Sequence, residues 1–108
     1  DLKISTRQRF VSISFNYPHR ELEQYIVEKE AGVSAEIAGK LVKLGHMTRN
    51  LKDSGLAEGA STRLLIQTAL LMNSGIDERS ACRAGIIESV TDDIDLLESL
   101  EDMARAVF

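Results

Sequence analysis

Gly59-Ala60-Ser61-Thr62-Arg63-Leu64-Leu65-Ile66 opens a long apolar run in this 108-residue chain. Ser61 has the residue type and position of a helix N-cap. Arg63 then falls in the first helical turn. The helix dipole disfavours a cation there, and the bare backbone N–H groups invite an anion. A shared anionic partner such as a phosphate, held by both the arginine and the helix end, accounts for an arginine in that place. The plainer alternative is an arginine that extends into solvent, since an exposed first-turn cation costs only about 0.3–1 kcal/mol.

The helix predicted from Thr62 to about Asn73 is apolar nearly all round. Leu64, Leu65, Ala69, Leu71 and Met72 share one side, with Ile66 and Leu70 on another. Such a helix belongs at the buried centre of a bundle. The neighbouring segments are helical as well. His19 to about Glu30 follows Pro18 and ends near Gly32, with Leu22, Tyr25, Ile26 and Lys29 at helical spacing. Ser34 caps a helix from about Ala35 to Leu51. Its stripe is Ile37, Leu41, Leu44, Thr48 and Leu51, and its other face carries Lys40, Lys43 and Arg49 with Glu36. A loop from Asp53 to Ala60 flexes at Gly55 and Gly59. Gly75 suits the stop of the central helix. Asp77 caps the next one, whose Ala81, Cys82, Ala84 and Gly85 form a small-residue face. Thr91 is the expected cap of the last helix, with a core stripe of Leu96, Leu97, Leu100, Met103, Ala104 and Val107.

The front of the chain reads differently. Ser5 with Gln8 has the capping-box pattern and would open a very short helix carrying Arg7 and Arg9. Val11, Ile13 and Phe15 then alternate with Ser12, Ser14 and Asn16, which is a strand period. Pro18 closes that strand. The chain offers it no second strand, so its backbone groups lack partners. A strand that has lost its sheet is the expected mark of a truncated domain.

Composition fits one soluble domain with one core. Apolar runs are too short to span a membrane, no signal peptide is visible, and a single cysteine suits a reducing compartment, so a cytoplasmic protein is expected. The net charge of -4 argues against general nucleic-acid binding. Charge is unevenly placed. Lys3, Arg7, Arg9 and Arg20 lie near the front, and Glu88, Asp92, Asp93, Asp95, Glu98, Glu101 and Asp102 near the end. The two regions would complement each other head to tail in a ring; a solvated acidic helix face is the alternative. His19 and His46 lack neighbours at metal-ligand spacing and read as surface or helix-end histidines. Cys82 reads as a small packing residue, and Asp92-Asp93 as helix-start carboxylates.

Arg7-Gln8-Arg9-Phe10 before a strand, followed by Gly59-Ala60-Ser61-Thr62-Arg63-Leu64-Leu65, resembles the back end of MoxR-type AAA+ ATPases, and within them the CbbQ/NirQ/NorQ branch. Glu58 to Leu65 is similar to its lid signature. Glu88-Ser89-Val90-Thr91-Asp92-Asp93 and Ala106-Val107-Phe108 are similar to its C-terminal domain. The likeness runs over essentially the whole chain, and the order and spacing of the motifs carry it.

The resemblance implies a mainly α fold. Residues 1–18 would be the last helix and strand of an α/β ATPase domain, and residues 19–108 a helical lid. The chain has no Gly-rich phosphate loop with a Lys-Ser/Thr pair, and no acidic Walker B strand precedes the arginines. It is therefore expected to be a fragment that binds no nucleotide tightly and does not hydrolyse ATP alone, ATP and Mg2+ belonging to the full-length protein. In the resemblance, Arg9 matches the arginine finger acting on the neighbouring subunit's γ-phosphate, and Arg63 the sensor 2 arginine. Arg7 is a weaker interface match. The family works as chaperone-like rings, hexamers in the expected form, with a partner carrying a von Willebrand factor A domain, on targets such as Rubisco or nitric oxide reductase. A rival from another class is a non-enzymatic helical module, with helices 19–30 and 35–51 as a helix-turn-helix reading DNA through Lys40, Lys43 and Arg49.

Overall fold

A computed structural model describes residues 18–51 and 58–108. These are mainly helical: α1 (Arg20–Ala31), α2 (Ala35–Arg49), α3 (Thr62–Asn73), α4 (Glu78–Cys82), a π-helical turn π1 (Arg83–Ile87), α5 (Glu88–Val90) and α6 (Ile94–Val107). The expected short basic helix and the strand Val11–Phe15 lie outside the described residues, as does Gly55.

Local chemistry sets most of the helix ends. Gly32 takes the left-handed conformation (φ 71°), and its N–H donates to the Glu28 carbonyl, which stops α1. Ser34 Oγ accepts from the Ile37 N–H and starts α2, which ends at Arg49 rather than Leu51. Asp77 accepts from the Ser80 N–H and starts α4. At the last helix the expectation needs correcting. Asp93, not Thr91, is the cap, accepting from the Asp95 and Leu96 N–H groups. Thr91 Oγ1 instead accepts from the Asp93 N–H at 3.0 Å, a local turn that sets up the aspartate.

α3 lies against α1, α2, α4 and π1. The buried core joins Val27 of α1, Ala38, Leu41 and Leu44 of α2, Leu65 and Ala69 of α3, Cys82, Ile86 and Ile87, and Leu100 of α6. Cross-ties fix the helices end to end. Asn73 Nδ2 donates to the Ala31 carbonyl, joining the ends of α3 and α1. Gln24 Nε2 donates to the Ala35 carbonyl, joining α1 to the start of α2.

Two faces differ from the sequence reading. In α1 the buried residues are Glu23, Val27 and Ala31, spaced four apart. Leu22 and Tyr25 are 51% and 56% exposed, so they do not belong to this core. In the small-residue segment Ala81, Cys82 and Gly85 are buried, but Ala84 is exposed. The π turn accounts for this, because its wider coil rotates the chain between Cys82 and Glu88 off the ordinary helical face.

Candidate functional site

The start of α3 is built by residues from three parts of the chain. Ser61 is its N-cap, and Ser61 Oγ accepts from the Leu64 N–H at 3.2 Å. Just before it, buried Ala60 is held from both sides. Its N–H donates to Thr48 Oγ1 (2.9 Å), and its carbonyl accepts from Arg49 Nε (2.8 Å). The Thr48 hydroxyl in turn donates to the Gly45 carbonyl at 2.7 Å. Just after the cap, the Thr62 hydroxyl donates to Glu23 Oε2 at 2.8 Å. Gly59 is required by space. A Cβ there would lie 2.5 Å from Arg49 Cα and 2.7 Å from its backbone nitrogen.

The centre of this arrangement is an ion pair. Arg49 donates from Nη1 to Glu23 Oε1 (2.9 Å) and from Nη2 to Glu23 Oε2 (2.5 Å). The Glu23 side chain is 0% exposed and that of Arg49 is 8% exposed. Burial pushes the Glu23 carboxyl up. The hydrogen bonds from Arg49 and Thr62, with the charges of Arg49 and His46, outweigh it and hold the group below its usual value. Glu23 therefore stays ionised at neutral pH.

Arg63 faces the other way. It is exposed and makes no hydrogen bond or ion pair with any described residue. No acidic residue stands in the first turn of α3. A cation and an uncompensated helix N-terminus thus share one end of the central helix, an arrangement suited to an anion. Beside it lies an open hollow of about 260 Å³ walled by Glu58, Gly59, Ser61, Leu64, Ser89 and Val90. Arg63 is not among its walls.

Arg7 and Arg9 lie outside the described residues, so neither is brought to Arg63 in this structure. The sequence reading missed Glu23, Thr48 and Thr62, and it set Arg49 on the solvent face of α2. That last expectation is corrected: the Arg49 guanidinium is spent on Glu23 and Ala60. The basic face offered to DNA loses its arginine. Lys40 sits 3.5 Å from Glu36 and stacks over the Phe108 ring, which leaves Lys43 as the exposed cation of that trio. The detectable signal was the four-residue spacing of Glu23, Val27 and Ala31 along α1.

Elsewhere, a cavity of about 170 Å³ between α4 and α6 is lined in part by Cys82, Ile87, Ala104 and Phe108. Glu101 at its rim is paired with Arg79 and Arg83. Burial, with the charge of Glu78, pushes the Cys82 thiol up to about 12, so it is a packing group and no nucleophile. His46 is half-buried in the last turn of α2, and its Nε2 has no hydrogen-bond partner among the described residues. Among the described residues no three His, Cys, Asp or Glu side chains gather as a metal site.

The profile of the CbbQ/NirQ/NorQ C-terminal family matches residues 23–107. Protein CbbQ of Hydrogenophilus thermoluteolus is 45% identical over the whole chain, which covers 40% of that relative. Denitrification regulatory protein NirQ of Stutzerimonas stutzeri is 45% identical over 99% of the chain and 39% of its own length. Protein NorQ of Paracoccus denitrificans is 41% identical over 99% of the chain and 40% of its own length. The chain thus spans about 40% of the length of these curated relatives. With the profile running from the buried Glu23 of α1 to the end of α6, the chain belongs to the CbbQ/NirQ/NorQ C-terminal family.

Proposed function

We propose that this chain is the C-terminal part of a ring-forming AAA+ ATPase that remodels a target enzyme. Residues 19–108 are its helical lid, and residues 1–18 are the last piece of its ATPase core. The observation that carries the reading is the free Arg63 at the unneutralised N-terminus of α3, in a chain of this family. In this role Arg63 is the sensor that contacts bound ATP and ties its state to the lid. Arg9 is the finger that stabilises transition-state charge at the neighbouring subunit's site, a role that can be worth roughly 10³–10⁵ in rate. Arg7 is a second interface arginine. ATP and Mg2+ are bound by the full-length protein.

The printed name of the NirQ relative, a denitrification regulatory protein, supports a regulatory role. The reading extends to a hexameric ring in the cytoplasm, a partner with a von Willebrand factor A domain, and a target of the Rubisco or nitric oxide reductase type. No helix among the described residues is long and apolar enough to cross a membrane.

The test uses full-length protein and Mg2+-dependent ATP turnover. Arg9→Ala abolishes turnover and leaves ATP binding within a few-fold, because a finger acts mainly on the transition state. Arg63→Ala weakens ATP binding or ring assembly as well. Rings mixed from Arg9→Ala subunits and subunits disabled in the phosphate loop recover some activity, since each site draws on two subunits. No recovery in rings shown to be mixed overturns the trans role of Arg9. Unchanged nucleotide affinity and assembly in Arg63→Ala overturns the sensor role.

A further inference from the structure

We propose that Thr62, through the Glu23 carboxylate that Arg49 holds, is a positioning residue for Arg63. This inference rests on the sensor reading of Arg63. The first turn of a helix is its loosest part, because its leading N–H groups lack intrahelical partners. A sensor on that turn is only as well placed as the turn itself. Here the turn is pinned on both sides of its cap, at Ala60 and at Thr62. Both pins lead to the same Glu23–Arg49 pair. Thr62 immediately precedes Arg63, so its hydroxyl fixes the backbone from which the arginine projects.

The chemistry chosen for the clamp supports positioning over plain cohesion. A buried ion pair contributes little net stability relative to well-packed apolar residues, since both charges must be desolvated. What it supplies is direction. Two parallel N–H···O bonds fix the carboxylate plane, and the carboxylate then accepts the Thr62 hydroxyl in one geometry. The pair also draws on α1 and α2, so the arginine's position is tied to the packing of the first two lid helices rather than to its own loop. A shift of α1 against α3 breaks the Thr62 bond first.

The experiment is a double-mutant cycle in the full-length ATPase, read as KM for ATP against kcat. Thr62→Val keeps the shape and removes the donor; Thr62→Ser keeps the donor. Expected is a rise in KM of roughly three- to ten-fold for Thr62→Val and no rise for Thr62→Ser. Thr62→Val combined with Arg63→Ala is no worse than Arg63→Ala alone, because the hydroxyl acts only through the arginine. Ser34→Ala, which removes the cap of α2 and leaves the clamp intact, lowers thermal stability without moving KM. If Arg63→Ala raises KM and Thr62→Val does not, positioning fails and the sensor reading stands. Effects that multiply in the double variant also overturn positioning. A KM rise in Ser34→Ala equal to that of Thr62→Val reduces the clamp to general stability and overturns it too. If Arg63→Ala leaves KM unchanged, the sensor reading falls and this inference falls with it.

Discussion

Arg49 closes both terminal nitrogens on the carboxylate of Glu23, at 2.9 and 2.5 Å, across 26 residues of sequence. The charge on α1 is neutralised from α2, at a point where both helices face the start of α3. Neither residue has water to fall back on, since the glutamate is fully buried and the arginine nearly so. Removing one is therefore a different event from removing both.

Arg49→Met leaves a buried carboxylate with only the Thr62 hydroxyl and should cost about 3–5 kcal/mol of folding stability. Glu23→Leu combined with Arg49→Met should recover most of that loss, because no uncompensated charge remains. Urea unfolding of the single and double variants checks this. Losses that simply add would falsify the coupling.

The pH dependence follows from the same pair. The folded-state pKa of Glu23 is lowered below its unfolded value, chiefly by Arg49 and Thr62 working against burial. The stability it contributes is present in full above the ordinary glutamate range and is lost as pH falls through the folded pKa. Wild type should exceed Glu23→Gln in melting temperature at neutral pH, and the gap should narrow on titration towards about pH 3. A gap that widens on acidification contradicts the assignment.

Two glycines make opposite predictions. A Cβ on Gly85 would lie 2.1 Å from Thr68 Oγ1, 3.0 Å from its Cβ and 3.1 Å from its Cα. The hydroxyl can rotate away, but the backbone atom cannot. Gly85→Ala should destabilise by about 1–3 kcal/mol, overriding its helix-propensity gain. Gly39, inside α2, would meet only the flexible end of Gln24, at 3.3 Å. Gly39→Ala should be stabilising by up to about 1 kcal/mol. Paired thermal melts decide both.

Cys82 is 1% exposed and its thiol is pushed up to about 12, so almost no thiolate exists at neutral pH. Ellman's reagent should react with the chain slowly under native conditions and fast in denaturant. Labelling at the free-thiol rate in buffer would place the thiol outside the core.

Arg63→Ala should leave folding stability within about 0.5 kcal/mol, since the side chain is exposed and unpaired among the described residues. A large loss, read by urea unfolding of the 108-residue chain, would make Arg63 a structural residue instead.

The helices flanking the site were readable because their signals are local. Ser34 and Ser61 cap the helices that their positions predict, and the stripe from Leu41 to Thr48 is buried as its spacing requires. What escaped was long-range. Glu23 looks like a surface acid in a first turn, and only an arginine 26 residues on makes its burial affordable. Tyr25 and Leu22 looked like core and are half exposed, because the face of α1 that packs is chosen by α2 and α3 and not by hydropathy alone. At Thr91-Asp92-Asp93 two residue types compete for one cap. The threonine bonds the aspartate's N–H, and the aspartate wins the helix. Arg7, Arg9 and the strand from Val11 lie outside the described residues.

The π turn at Arg83–Ile87 acts as a phase shifter. The Glu88 N–H reaches back five residues to the Arg83 carbonyl, so this coil holds one residue more than an α-helical turn there would take. Ile86 and Ile87 are both buried within it. Deleting one residue would restore regular coiling but rotate everything after it by about 100°. Val90 would leave its place against the core, and Glu88 would swing away from Arg83, 2.9 Å distant. This stretch can therefore exchange side chains far more readily than it can change length.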